Sequence, residues 1–359
     1  MENLWKAVSC SCKKNIKTEK TYLFFLSIAF TASLVFTYYY FLYTHEYQPG
    51  SSSKISSFNA DKVFQTRLLI PLLSSILSPI IPLIALLFQW IIPYPIDYEV
   101  VLQMINVVAL TVLIAALPSL IGMLGCTTSY WTSLFLMIPI TWNYIFINGY
   151  IDGAGLYYSY DIPSLTFFVL CLILFLKKRW ILFYPIWLLA CLNRESACFV
   201  SLGAFLLLCD CSDLNPKNLI KRNKHLLYHI LFQACIWLLL RAILCYAFRN
   251  NPGQFFESPH SMMEFITKIW TGESHWAMQN PRWFLSLFGC IWIFPVIMFK
   301  YLNSLGRRFA TVGLIYLIIL IFRSNMMETR VYNELNVIVI VCFIICITNF
   351  ARKRKFFKV

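Results

Sequence analysis

Four short polar segments of this chain carry the side chains that could do chemistry, and each interrupts long apolar runs. In the first segment, Asp61 and Arg67 stand just before an apolar stretch that is broken by prolines. A carboxylate there could act as a general base, and an arginine could bind a phosphate through two parallel hydrogen bonds. The alternative is an ordinary interfacial loop, with a solvated aspartate and an arginine that extends towards water.

The second segment, residues 148–163, interleaves tyrosines with Asp152 and Asp161. This composition is typical of a carbohydrate platform, where rings stack on sugar faces and carboxylates bind hydroxyls. The same tyrosines could instead form an aromatic belt at a membrane interface. Asp161 could also cap the start of a helix, because Pro163 follows it at a spacing typical of a helix N-terminus.

The third and fourth segments are both dense in charge. The third consists of Asn193, Arg194 and Glu195, and its charged pair could bind a substrate or could neutralise other charges and hold helices together. The fourth is the link between the last two apolar runs, and a solvated hairpin is its alternative interpretation. The candidate residues in this link are Glu328, Arg330 and Glu334.

The composition decides which class of protein must position these segments. Of the 359 residues, 59% are hydrophobic and only 13% are charged, whereas a soluble domain has about 25% charged residues. Residues 22–43 and 226–247 approach or exceed the ~20 apolar residues that cross a bilayer. This excludes a soluble enzyme, a disordered chain and a nucleic-acid-binding domain. The sequence predicts an all-α polytopic membrane protein that has no nucleic-acid partner.

The distribution of the net charge of +14 predicts the orientation. Five basic clusters hold 20 of the 30 lysines and arginines, at residues 6–20, 177–179, 217–224, 300–308 and 352–358. Cytoplasmic loops collect lysine and arginine, so these clusters and both termini are predicted to be cytoplasmic. The chain then forms one transmembrane domain over residues 1–350, followed by a basic cytoplasmic tail over residues 351–359.

This constraint predicts ten crossings and one segment that does not cross. A single crossing by residues 67–92 would put the 177–179 cluster outside, so that stretch is predicted to be re-entrant or interfacial. The predicted crossings are 21–43, 100–124, 129–146, 163–176, 180–192, 196–208, 226–247, 283–299, 309–322 and 335–350.

Two predicted crossings are too short for a full bilayer. Only 30 residues lie between Arg179 and Asp210, so each arm of this hairpin reaches about 20 Å of a ~30 Å hydrocarbon core. Its apex, with Arg194 and Glu195, is therefore predicted to lie in a recess that opens to the outer side. Charged residues at that depth are a functional hypothesis by default.

Taken together, four motifs resemble the GT-C class of membrane glycosyltransferases and related uncharacterised bacterial membrane proteins. They are residues 64–73, 160–163, 193–195 and 328–334. The resemblance implies a polyprenyl-phosphate-linked sugar as donor, a glycan, lipid or protein as acceptor, and a location in the bacterial inner membrane. It also implies an essential carboxylate in the first outer loop, which would be Asp61 or, less well, Glu46.

The expected reaction also needs binding groups and positive charge for the departing phosphate. The candidate substrate-binding residues are Arg67, Asp152, Asp161, Arg194, Glu195, Glu328, Arg330 and Glu334. The positive charge would come from an arginine or from a bound divalent ion. The cysteine pairs 10/12 and 209/211 lack the partners of a metal site. Asp61 is expected to share one outward-facing pocket with four of these residues: Arg67, Asp161, Arg194 and Glu195.

Two other functions remain open at this stage. An O-antigen-polymerase-like enzyme would use arginine-centred chemistry, for which Arg194 and Arg330 are candidates. A transporter or flippase of a lipid-linked glycan would need charged residues at the membrane midplane on several spans. Here most spans are uncharged, with Arg241 as an exception, and the charges gather at the ends of the apolar runs.

Overall fold

The computed structural model describes residues 17–80, 98–151, 155–210, 215–254, 285–323 and 329–354. Two-residue strands β1 (His45–Glu46) and β2 (Leu156–Tyr157) form one parallel pair. The α-helices are α1 (Lys17–Tyr43), α2 (Ser52–Ser56), α3 (Lys62–Gln65), α4 (Leu69–Leu77), α5 (Tyr98–Met123), α6 (Met137–Thr141), α7 (Asp161–Leu176), α8 (Trp180–Asn193), α9 (Cys198–Leu208), α10 (Pro216–Arg222), α11 (Lys224–Ala247), α12 (Ile293–Ile297), α13 (Ser304–Arg323) and α14 (Asn333–Lys353).

The prediction of an all-α, strongly apolar chain is confirmed. In the described ranges, four helices are long and apolar enough to cross a membrane, and they lie within α1, α5, α11 and α14. Shorter apolar helices, among them α7 and α8, pack between the long ones, so that Leu113, Phe175 and Trp187 are fully buried. Most of α11 remains exposed in the isolated chain, which is typical of a helix that faces lipid.

Two of the ten predicted spans are not continuous helices. Residues 129–146 form a 3₁₀-helix (Tyr130–Leu136), α6 and the start of a π-helix (Trp142–Ile151). Pro139 lies inside this stretch and removes a backbone donor, and interior π-helix is rare and concentrated at functional sites. Within residues 283–299, the described part is interrupted where Phe288 and Gly289 adopt positive φ angles of 59° and 61°.

The basic cluster at residues 300–308 contacts two other loops at one end of the bundle. Asn303 donates a hydrogen bond of 2.7 Å to the carbonyl of Leu124, which follows α5. Arg308 at the start of α13 donates one of 2.7 Å to the carbonyl of Cys209, which follows α9. These contacts join loops that are far apart in sequence, and we name this the basic end.

The opposite end holds the charged segments and is named the polar end. The β1–β2 pair lies here, since His45 aligns with Leu156 and Glu46 with Tyr157. Phe41 at the end of α1 contacts the Tyr157 ring, and Asn106 near the start of α5 donates to its hydroxyl at 3.2 Å. The chain therefore leaves α1 and enters α5 at the same end.

Candidate functional site

The backbone at the end of α8 sends two neighbouring charged side chains in different directions. Asn193 is the last residue of α8, and Arg194 is extended with φ of −157° and ψ of 144°. Successive side chains of extended backbone point to opposite sides, so Arg194 and Glu195 face different partners. Each of them pairs with a charge from another segment.

Glu195 pairs with Arg67, which lies between α3 and α4. The guanidinium donates to both carboxylate oxygens, from Nη2 to Oε1 at 2.5 Å and from Nε to Oε2 at 3.1 Å. Its third nitrogen, Nη1, donates to the Tyr160 hydroxyl at 2.6 Å, and the cation lies 4.9 Å from the centre of that ring. The Arg67 side chain is only 8% exposed, whereas that of Glu195 is 41% exposed. In this pair the carboxylate of Glu195 is therefore partly exposed, and the cation of Arg67 is buried.

Arg194 pairs with Asp161, the first residue of α7. The Nη1–Oδ1 distance is 3.2 Å, and the Asp161 side chain is completely buried. Two amides fix the backbone around it, because Asn333 donates to the carbonyl of Asp161 at 2.6 Å and Asn193 donates to that of Tyr160 at 2.9 Å. The interpretation of Asp161 as a helix cap is therefore replaced, since its carboxylate neutralises a buried arginine.

Glu334 completes this buried group from the start of α14. The hydroxyls of Ser196 and Tyr316 donate to its two carboxylate oxygens. Together with Arg194 and Ser164, the Ser196 and Glu334 side chains line a cavity with room for about one water molecule. We name the six residues Arg67, Tyr160, Asp161, Arg194, Glu195 and Glu334 the charge network.

Asparagines hold the helices around the network in place. Asn333 also receives a hydrogen bond from the Tyr144 hydroxyl in the π-helix. Asn143 donates to Asn336 at 3.0 Å and accepts from the backbone nitrogen of Phe288 at 2.9 Å. The bond from Phe288 satisfies a backbone nitrogen at the point where the 285–301 segment is broken. This explains why the irregular backbone is tolerated beside the network.

The tyrosines of the second polar segment do not form a sugar platform in the described structure. Tyr157, Tyr158 and Tyr160 are at most 2% exposed. Tyr158 stacks on Phe64 with ring centres 5.7 Å apart, beneath the first polar loop. The rings are thus core packing that supports Arg67, and neither the platform nor the interfacial-belt interpretation holds for them.

Asp61 has different neighbours from the charge network. Its backbone nitrogen donates to the carbonyl of Pro49, and its side chain lies against Gly253, which follows α11. Within the described residues, no hydrogen bond or ion pair joins its side chain to Arg67, Asp161 or Glu195. The described contacts therefore bring four of the five expected pocket residues together, and they place Asp61 beside the Gly253 turn.

Glu46 is a second carboxylate of the same loop, and it lies in a less polar setting. Its Oε1 accepts a hydrogen bond of 3.1 Å from the backbone nitrogen of Ser52. Burial raises the pKa of Glu46, hydrogen bonds from Ser52 oppose this rise, and the nearby charge of Glu99 adds to it. A carboxylate whose pKa is raised is a stronger proton acceptor once it is ionised.

Three predicted site residues cannot be placed. Asp152 and Glu328 lie outside the described residues, as does the Arg330 side chain. The described part of the chain contains no group of three or more histidine, cysteine, aspartate or glutamate side chains arranged to hold a metal ion. Arg67, Asp161, Arg194, Glu195 and Glu334 are the predicted residues that the structure gathers.

Sequence reasoning missed several partners of the network. Tyr316 lies within the apolar helix α13, and Ser196 within the turn after Glu195, where neither residue type stands out. Asn333 and Asn336 did carry a signal, because their spacing of three residues puts both on one face of a helix that begins with an acid. Polar residues at that spacing in an apolar run indicate an inward-facing polar stripe.

The fold and the network define a class: a helical, apolar protein of the kind that resides in membranes, with a charge network at one end of the bundle. No protein-family model, no curated protein and no solved structure matches the chain.

Proposed function

We propose that this chain is a polytopic membrane enzyme with GT-C-like architecture. It transfers a sugar from a polyprenyl-phosphate carrier to a glycan, lipid or protein acceptor at the extracytoplasmic face. In this proposal the chain crosses the bacterial inner membrane ten times, with both termini in the cytoplasm and the polar end outside. The position of the 300–308 cluster at the other end supports this orientation.

The proposed topology predicts the side of five positions. Reporter fusions after Gly155, Asn193 and Thr329 should read as extracytoplasmic, and fusions after Asn218 and Ser304 as cytoplasmic. The physical reason is that the first three lie at the polar end and the other two lie among the basic clusters. A cytoplasmic signal at Gly155 would mean that residues 67–92 cross the membrane, and the single outer site would fail.

One observation carries the proposed activity: a partly exposed carboxylate, Glu195, is fixed by a buried arginine at the polar end. Arg67 occupies one side of each carboxylate oxygen, and the remaining lone pairs can accept hydrogen bonds from sugar hydroxyls. The two helices that flank Glu195, α8 and α9, have 14 and 11 residues. Each is shorter than the ~20 residues of a full span. Glu195 can therefore lie in a recess below the outer surface.

The proposed transfer is an inverting displacement. The acceptor oxygen attacks the anomeric carbon, the bond to the carrier phosphate breaks, and the phosphate leaves with the electron pair. A carboxylate of the first polar loop takes the acceptor proton, and nearby arginines stabilise the leaving phosphate. Asp61 is the proposed base, and Glu46 is the alternative candidate.

Asp61→Asn is expected to lower turnover about a hundredfold or more, since the amide keeps the shape and loses the basicity. Binding of the lipid carrier should persist. Turnover is measured with purified protein in nanodiscs, as loss of the lipid-linked sugar. Glu46→Gln is the matched control in the same loop, and its effect should be small.

The reverse pattern would reassign the base to Glu46. Because burial raises the pKa of Glu46, activity would then fall as the pH is lowered through that raised value. Glu46→Gln would be inactive at every pH. If neither variant loses turnover, a carboxylate base in this loop is excluded.

Such a result would favour the second candidate, an O-antigen-polymerase-like enzyme with arginine-centred chemistry. The observation in its favour is that the network contains two buried arginines, Arg67 and Arg194, while the described contacts of Asp61 lie elsewhere. Such an enzyme would depend on the arginines and tolerate Asp61→Asn.

A further inference from the structure

Arg241 introduces a charge into the apolar helix α11 that the proposed reaction has not used. It is the only lysine, arginine, aspartate or glutamate between residues 225 and 247. A charge within a span is expensive unless it meets water or a partner, so such residues mark functional sites by default. The surroundings of Arg241 indicate which partner would suit it.

The hydrogen-bonding capacity of Arg241 is only partly used. Its Nη2 donates to the carbonyl of Cys191 at 2.7 Å, and the cation lies 5.8 Å from the centre of the Trp237 ring. Its Nε is buried without a hydrogen-bond partner among the described residues. A guanidinium has five N–H groups in a planar fork, so this one can still bind an anion bidentately.

The ion pairs near Glu195 are made by arginines other than Arg241. Three arginines interact electrostatically with this carboxylate: Arg67, Arg194 and Arg241. Arg194 is paired with Asp161, and Arg67 holds both oxygens of Glu195. In the described part of the chain, the ion pairs leave Arg241 without a carboxylate in contact. The three arginines balance the carboxylates of Asp161, Glu195 and Glu334, so an anion here would be held by direct contact with Arg241 and not by an excess of positive charge.

The position of Arg241 indicates a ligand that arrives through the membrane. Arg241 and Trp237 are half-buried, whereas Leu238 and Leu239 on the same helix are 60% and 62% exposed. Leu189 on α8 is 41% exposed. The guanidinium thus lies at the border between a lipid-facing apolar surface and the charge network. An amphiphile with an anionic head and an apolar tail fits this border.

We propose that Arg241, supported by Trp237, binds the phosphate of a membrane-resident lipid phosphate whose tail lies along the exposed surface of α8 and α11. This inference rests on the proposed function and names the carrier subsite of that reaction. Trp237 fixes the register, because its indole nitrogen donates to the carbonyl of Glu195 at 3.2 Å. The phosphate is thereby held beside the carboxylate that is proposed to bind the sugar hydroxyls.

The test uses the full chain in phosphatidylcholine nanodiscs with labelled farnesyl phosphate as the probe. Arg241→Met should weaken binding about tenfold or more, since a charge-assisted bidentate contact is lost. Arg249→Met is the matched control, because this arginine lies just past the same helix, over the Tyr246 ring at 4.2 Å. Its affinity should change less than about twofold. Farnesol and inorganic phosphate should not displace the probe.

Each outcome has a separate meaning. If the wild-type chain does not bind farnesyl phosphate, the proposed function itself fails. If it binds and Arg241→Met retains the affinity, the subsite is wrong while the function stands. Displacement by farnesol, inorganic phosphate or phosphatidylglycerol at equal concentration would overturn the assignment to a prenyl-type lipid phosphate. Should Arg241→Met not fold, Arg241→Gln keeps a donor for Cys191 and should lose the affinity in the same way.

Discussion

Replacing Arg194 with methionine should destabilise the protein by about 3–5 kcal/mol, as expected when one partner of a buried ion pair is removed. The carboxylate of Asp161 is completely buried, and the variant would remove the counter-charge that Arg194 supplies. Glu334, which is 2% exposed and lines the same cavity, would also lose its electrostatic interaction with Arg194. Denaturant unfolding in detergent measures the loss as a lower transition midpoint.

The matched rescue is the double variant Arg194→Met with Asp161→Asn. Neutralising both partners removes the uncompensated charge, and well-packed neutral replacements of buried pairs are often close to wild-type stability. Most of the lost stability should therefore return. Arg354→Met at the exposed end of α14 is the control and should change stability by less than about 1 kcal/mol. A double variant no more stable than the single one would show that Arg194 stabilises the fold through contacts other than Asp161.

The helices were predictable because their signal is local. Runs such as α1, α5 and α11 contain enough consecutive apolar residues to indicate a helix without knowledge of their neighbours. The breaks at Phe288 and in the π-helix were not predictable in this way. They depend on Asn143, whose amide bonds to two segments that follow it by more than 140 residues. A local pattern contains no information about such a partner.

The sequence predicts which residues belong to the candidate site, but it does not predict which of them pair. Arg67, Arg194, Glu195 and Glu334 stand out because charges are rare in an apolar chain. The pairing follows from the extended backbone at Arg194, which a reading of neighbours along the sequence cannot show. The tyrosines were misassigned for a related reason, since aromatic residues suit a core as well as a binding surface, and only packing decides between them.

Glu195→Gln should reduce transfer activity about a thousandfold, the scale seen when one fixed polar group of a reacting site is removed. Two effects combine in this variant. The amide cannot accept from Arg67 through two charged oxygens, and the 8%-exposed guanidinium of Arg67 loses the negative charge that Glu195 supplies. Loss of activity in this variant alone could therefore reflect loss of structure.

The double variant Arg67→Met with Glu195→Gln separates these two effects. Removing the cation together with the anion should restore the free energy of unfolding to within about 1 kcal/mol of the wild-type value. Activity should stay lost, because the carboxylate that faces outwards is gone. The swapped variant Arg67→Glu with Glu195→Arg adds a control, since it keeps one charge pair and moves the cation to the exposed position. If the neutral double variant regained activity together with stability, the pair would only hold α4 against the end of α8, and the reaction would have to use other groups at the polar end.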